Sequence, residues 1–294
     1  MATAMTNGTP SLISLAIPML MLAALSLGLA ERLGGFDVAP AEATLFEPET
    51  THIAPRTFSY RADGEYFKGS MVIDAPMVEL RDYRALTVMK YQVTAGEYGR
   101  CVLDGACAKP ESSVASPDAP VTGVSFDDAV AYADWLSLKT GEVWRLPSDA
   151  EMAFAAGTAF PDDALGLDPE NKNPALRWVA DYEREAAERS GRDATPRPAG
   201  SFGINEYGLA DFAGNVWEWT STCHRRVKNI GGRETVEPIC GVYVTVGPHR
   251  SPMSSFIKDP KGGGCAVGTP PSNLGFRLVR DERLLARPLA RLGL

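Results

Sequence analysis

"GNVWEWT", residues 214–220, sets two tryptophans on either side of a glutamate, directly after a Gly-Asn pair. Tryptophan is costly to leave in water, so Trp217 and Trp219 are expected to be buried. That puts a carboxylate between two buried neighbours, and two readings of Glu218 are open. It accepts hydrogen bonds from a nearby loop, or it gathers with main-chain carbonyls around a hard cation. Calcium is the cation such a kinked, oxygen-rich stretch suits, since it takes roughly six to eight oxygen ligands.

Outward from this stretch the local grammar is legible in places. In "SFDDAVAYADWLSLKTG" (125–141), Ser125 caps a helix and Asp128 stands three residues on, a variant of the capping box. Phe126, Ala129, Val130, Ala133 and Leu136 follow at helical spacing, and Gly141 closes the helix. "SDAEMAFAAG" (148–157) repeats the device with Ser148, Glu151 and Gly157. "EVWRLP" (142–147) between them reads as an extended link. Short strands are expected in "SMVIDAPMVEL" (70–80), "LTVMKYQVT" (86–94), "CGVYVTVG" (240–247) and "GFRLVR" (275–280). Residues 158–210 are rich in turn signals, and "PALRWVADYEREAAERSG" (174–191) is the helical pattern among them. No internal repeat is present. These signals predict one α+β domain with few helices, long loops and a modest sheet.

The chain has 294 residues, 45% of them apolar, with 22 prolines, 28 glycines and a net charge of -8. Such an acidic chain with scattered basic residues has no electrostatic footprint for nucleic acid. Residues 10–30, "PSLISLAIPMLMLAALSLGLA", carry no charge and are long enough for a membrane span. They also fit the apolar part of an export signal, with Gly28 and Ala30 small at a cleavage point. Residues 1–30 are therefore read as a signal peptide or an N-terminal membrane anchor, 31–54 as a linker and 55–294 as the folded domain. That address is periplasmic or otherwise extracytoplasmic, anchored to the inner membrane if the segment is uncleaved. Of five cysteines, Cys101 and Cys107 flank Asp104-Gly105, a turn dipeptide, and are expected to form a disulfide. Cys223, Cys240 and Cys265 cannot all pair with one another, and a Cys240–Cys265 bond is one arrangement.

The order of blocks resembles the formylglycine-generating enzyme, or sulfatase-modifying factor, family. The residues that carry the resemblance are Val93-Thr94 with Tyr98, "PVTGVSFDDAVAYADWL" (120–136), "RLPSDAEMAFAAG" (145–157), "YGLADFAGNVWEWT" (207–220) and "SNLGFRLVR" (272–280). Five blocks in this order cover most of residues 65–281. The resemblance implies a C-type-lectin-like α+β fold with little regular secondary structure. It also implies a structural calcium on the "GNVWEWT" block, with Asp211, Gly214, Val216 and Glu218 at the ligand positions. A second family calcium site has Leu176 in place of its asparagine, with Asp193 the nearest aspartate.

The family's enzymes oxidise a substrate cysteine with oxygen through two cysteines that bind copper(I). Soft thiolates suit that ion. The cysteine-bearing segment has no counterpart here. Counted back from Asn273, His249 and Ser254 stand at the two positions. Cys223, His224, Cys240, His249, Arg250 and Cys265 are the residues left to inspect. Cys240, His249 and Cys265 are the catalytic candidates, with copper or iron as the metal a cysteine/histidine set would take. Cys223 and His224 are adjacent, so on a strand their side chains point apart.

Two functions follow from the resemblance. One is an exported oxidoreductase or maturation factor acting on a protein or peptide-derived substrate, accessory to a periplasmic metalloenzyme such as copper nitrite reductase. The other is a non-catalytic, calcium-stabilised binding module.

Overall fold

Both helices expected from their capping boxes form. α2 spans Phe126–Thr140 and α3 spans Asp149–Ala156, each with the serine hydroxyl accepting from the N3 amide and the N3 carboxylate accepting from the cap amide. Gly141 ends α2 in the left-handed region at φ 69°, a conformation glycine adopts without a Cβ clash. A third helix, α1 (Ala95–Leu103), starts from the same device at Thr94 and Glu97. The sequence does not signal this helix, since Thr94 ends an apolar run that reads as a strand. Cys101 on α1 is disulfide-bonded to Cys107 across the Asp104-Gly105 turn.

The structure is a computed structural model describing residues 47–112, 116–166, 173, 175, 179–180, 182–183, 195–260 and 273–282. The chain divides into Met1–Phe46 and Glu47–Leu294, and the described residues all belong to the second unit. The 1–30 segment, Leu176, Asp193 and Cys265 lie outside the described residues, as does most of 174–191. No helix among the described residues is long and apolar enough to cross a membrane.

Among the described residues, twelve strands join the helices in a mixed, sheet-dominated α+β domain. One sheet has the order β1-β6-β12-β7, from Thr50–Ile53, Leu86–Met89, Val279–Arg280 and Trp144–Arg145. β1 falls inside the stretch read as linker, so ordered pairing begins before residue 55. His52 on β1 sits with its Nδ1 3.0 Å from the Thr87 hydroxyl. The larger sheet runs β10 (Arg250–Ser254), β9 (Arg233–Val246), β8 (Trp217–Ile230), β3 (Glu65–Lys68), β4 (Met71–Ile73), and β11 (Leu274–Gly275) adds to β8. β2 (Arg56–Arg61) and β5 (Met77–Tyr83) form a separate antiparallel pair. β8 and β9 are one long hairpin, turned by Gly231-Gly232 with both φ angles positive. Two residues with φ > 0 are what a tight hairpin turn of this hand requires.

The core lies between α3, β6, β12 and the β2–β5 pair, where Ile53, Phe58, Leu86, Val88, Phe154, Leu209 and Val279 pack together. Trp217 and Trp219 are buried as expected, and the Trp219 indole N–H donates to the Val124 carbonyl at 3.0 Å. β11 runs parallel to the start of β8, with Gly275 opposite Glu218. A Cβ at Gly275 would stand 2.8 Å from the Val121 carbonyl oxygen and 2.9 Å from Val216. Only glycine lets "GFR" approach "WEW" this closely, and that approach delivers Arg277 to Glu218.

Candidate functional site

The opening carboxylate has a partner. Glu218 and Arg277 are both fully buried. The Arg277 guanidinium donates through Nε to Glu218 Oε2 at 2.5 Å and through Nη2 to Oε1 at 2.7 Å. Its remaining N–H groups donate to the carbonyls of Lys90 and Ala210, each at 2.9 Å, with Met89 at 3.4 Å. Gln92 Nε2 adds a third donor to the carboxylate at 2.8 Å and also reaches the Asp211 carbonyl at 3.2 Å. A bidentate, fully hydrogen-bonded pair of this kind is the form in which a buried charge is tolerated.

This bears on the expected calcium ligands. Asp211 and Ala213 hold positive φ, 59° and 56°, a strain of about 1–3 kcal/mol each that the surroundings must hold in place. The Asp211 carboxylate is taken up by the amides of Gly200 (2.5 Å) and Phe202 (2.8 Å). Its carbonyl accepts from Gln92 and from Gly214 N. Glu218 already carries three N–H donors. A guanidinium already lies on both oxygens of Glu218, so a calcium ion gathering oxygen ligands there would have to displace it. Chelation with EDTA is therefore expected to leave the melting temperature unchanged. A fall of several degrees reversed by calcium alone would establish the ion.

A second polar centre is a cleft of about 130 Å³ between the β2–β3 connection, β4, β8 and β10. The sharp register shifts that flank Cys223 in the β8–β9 hairpin set its wall, since a bulge bends a strand and re-aims the side chains around it. Cys223 bonds across the hairpin to Cys240, while His224 lines the cleft. The two neighbours do separate jobs, as their adjacency predicts. Cys240 is thus the partner of Cys223 rather than of Cys265, and as a catalytic candidate it lacks a free thiol in this state. His249 is buried, with its ring edge-on to Trp217 at 5.4 Å. The next residue, Arg250, reaches the cleft.

Arg250 organises this centre. Its Nε donates to Asp163 Oδ2 at 2.6 Å, and Nη1 donates to the Arg61 carbonyl at 2.9 Å and to Asp149 Oδ2 at 3.3 Å. Burial works to lower the Arg250 pKa, but Asp149 and Asp163 raise it above the usual arginine value. Asp149 is 1% exposed. Burial, against the pull of Arg250 and with the charges of Asp63 and Asp163, pushes its carboxyl up to about 7. Burial also raises Tyr60 to about 12, helped by Asp149 and Asp63, and lowers His224, leaving that imidazole neutral at pH 7. Opposite them Asp63 accepts from Arg225 Nη2 at 2.9 Å. Asp74 takes the amides of Leu165 and Gly166, each at 2.9 Å. Among the described residues, no three His, Cys, Asp or Glu side chains gather in metal-holding geometry.

Arg250 and His224 were singled out in the sequence. Asp63, Asp149, Asp163 and Ser251 were not. Asp149 was hidden inside a capping motif, and the other three come from three separate segments that only the fold unites.

A family model for the sulfatase-modifying factor enzyme 1-like domain matches residues 36–282. The chain belongs to this family. This sulfatase-modifying-factor-like protein is 30% identical over 199 residues to the formylglycine-generating enzyme of Bos taurus, covering 59% of this chain and 47% of that one. It is 35% identical over 115 residues to the enzyme of Thermomonospora curvata, covering 37% and 36%. It is also 33% identical over 109 residues to the inactive C-alpha-formylglycine-generating enzyme 2 of Bos taurus, covering 35% and 33%. The chain thus spans about half, or less, of the length of these curated relatives. Among solved structures it resembles PvdO from Pseudomonas aeruginosa, with TM-score 0.51 and 23% identity over 80% of this chain and 94% of that one. That likeness supports the fold.

Proposed function

We propose that this sulfatase-modifying-factor-like protein is an exported maturation factor that holds a protein or peptide-derived substrate in the cleft around Arg250. It acts there without the family's copper-binding cysteine pair. The observation that carries the reading is the Asp149–Arg250–Asp163 cluster, in which Asp149 is buried and the Arg250 and Asp163 side chains are 9% and 18% exposed. A buried carboxylate that shares one guanidinium with a second carboxylate is expensive to fold and is typical of functional sites. Asp149, ionising near 7, is matched to taking up or giving back a proton at neutral pH. Arg250 and Asp163 hold the geometry around it.

Export rests on residues 1–30, and a role beside a periplasmic metalloenzyme such as copper nitrite reductase rests on that address. A copper or iron ion on Cys240, His249 and Cys265 is proposed only for a state in which the Cys223–Cys240 bond is reduced. Elemental analysis of protein isolated under air and under reductant tests it. Metal bound only under reductant and lost in His249→Ala is the supporting result.

A second reading, a binding module without catalysis, is favoured by the likeness to an inactive relative and by the missing cysteine pair. The two separate in one comparison of intact masses of exported proteins from a deletion strain and its complemented parent. A defined mass difference in one protein supports the maturation factor. Identical masses with altered abundance or assembly sink it in favour of the binding module.

A further inference from the structure

We propose that the Cys223–Cys240 bond is a thiol–disulfide exchange site, opened by a protein dithiol while Cys101–Cys107 stays closed, and that opening it shifts His224 in the wall of the cleft. The inference goes beyond the reading of the cleft as a substrate site and stands without it.

The two disulfides differ in what surrounds them. Cys101 and Cys107 are 0% and 8% exposed, six residues apart in the chain. Cys240 is an exposed residue and Cys223 is half-buried. Beside Cys240, Gly241 is exposed as well, and a Cβ there would meet no atom beyond its chain neighbours within 4 Å. This side of the hairpin is open to an approaching chain. Exchange requires a thiolate to reach a disulfide sulfur, and exposed bonds are the labile ones. Neither cysteine stands where the family's copper-binding pair would, since His249 and Ser254 occupy those positions.

The bond also sits where the ladder breaks. Cys223 pairs with Tyr243, but the next residue, His224, pairs with Ile239, so β8 skips Cys240, Gly241 and Val242. β10 holds the far side of this bulge, with Ser254 opposite Val242 and the Ser255 amide donating to the Gly241 carbonyl at 2.8 Å. The disulfide ties the bulge to β8. His224 follows directly and lines the cleft. Among the described residues no side-chain hydrogen bond holds its ring, so the backbone sets its aim. A bulge re-aims the side chains around it, and releasing the bond that pins this one moves His224. Arg225 stays tied to Asp63 at 2.9 Å, with Gly64 packed on its carbonyl, which confines the shift to the bulge.

In the exchange a thiolate of the dithiol attacks the Cys240 sulfur, and Cys223 leaves as a thiolate and takes up a proton. The second thiol of the dithiol then attacks its own sulfur in the mixed disulfide and releases Cys240 as a thiol. The protein bond gains two electrons and two protons, and the dithiol becomes a disulfide.

The test is differential alkylation of the native full chain, with dithiothreitol as the dithiol probe and peptide masses as the readout. Cys223 and Cys240 are expected to be labelled at least about tenfold faster than Cys101 and Cys107, with thermal unfolding still cooperative. The same ratio is expected in Cys265→Ser. Loss of labelling there would assign the attack to Cys265 of the same chain and overturn exchange with an external dithiol. Labelling of all four cysteines together, or of Cys223 and Cys240 only in denaturant, also overturns it. Carbethoxylation by diethyl pyrocarbonate at pH 8 reads the cleft, since an imidazole of ordinary pKa is neutral there. His224 is expected to react severalfold faster once the bond is open, and equally fast in Cys223→Ser/Cys240→Ser, which cannot reclose. His249, 2% exposed, is the internal reference. An unchanged His224 rate in both open forms contradicts the link between the bond and the cleft. Because the readout is labelling and not maturation of a target, its failure leaves the substrate reading of the cleft standing.

Discussion

Arg277→Met is expected to destabilise the domain by about 3–5 kcal/mol, because it strands the Glu218 carboxylate without its counter-charge at full burial. The same substitution frees the Ala210 and Lys90 carbonyls that the guanidinium satisfies. For a domain of this size that corresponds to a fall of roughly 10 °C in melting temperature. Glu218→Gln should cost less, since the amide still accepts from Arg277 through one oxygen. The double variant Glu218→Leu/Arg277→Met should recover part of the single-variant loss, because a buried pair replaced by apolar groups of similar volume is often close to neutral. Urea denaturation of the four proteins measures this directly. A loss below about 1 kcal/mol for Arg277→Met would show that the pair does not lock "WEW" to "GFR".

The second large effect is a pH dependence. Asp149 titrates at about 7 in the folded protein, against 3.8 as its ordinary value. Between those values the folded state holds a proton that the unfolded chain has released. The contribution of Asp149 to stability is thus fully present below about pH 4 and is lost as pH rises through 7. The whole span is on the order of 4 kcal/mol. Carboxylates held below their ordinary range act in the opposite sense. Asp162, lowered chiefly by Arg61, and Glu282, lowered chiefly by Thr87, lose their contribution as pH falls toward 4 and below. The difference between wild type and Asp149→Asn isolates the raised group. Wild type should lose more stability than the variant between pH 5 and pH 8. Parallel curves would show that Asp149 does not carry a proton near neutrality.

Much of the scaffold was legible because its signals are local. The Ser125/Asp128 and Ser148/Glu151 boxes place α2 and α3, and the Cys101–Cys107 turn closes as its Asp-Gly pair suggests. The Gly231-Gly232 turn is equally local and marks the long hairpin, but no strand was expected over 217–230, because "GNVWEWT" reads as a motif. What could not be read was long-range. Glu218 meets Arg277 across 59 residues and Gln92 across 126. The cleft joins Asp63, Asp149, Asp163 and Arg250 from segments whose own patterns speak only of turns and caps. The choice of Cys223 as partner for Cys240 likewise depends on hairpin register, where irregularities, not spacing, bring the two sulfurs together.

We propose that function resides in the cleft around Arg250 and not in a cysteine pair. Complementation of a deletion strain, read as the intact mass of the exported target, tests it most directly with Arg250→Lys, Ser251→Ala and Cys265→Ser. All three must be produced at wild-type level with wild-type melting temperature. Restoration of the target's mature mass by Cys265→Ser, with strongly reduced restoration by Arg250→Lys and Ser251→Ala, is the predicted result. Full restoration by both cleft variants with none by Cys265→Ser would contradict it.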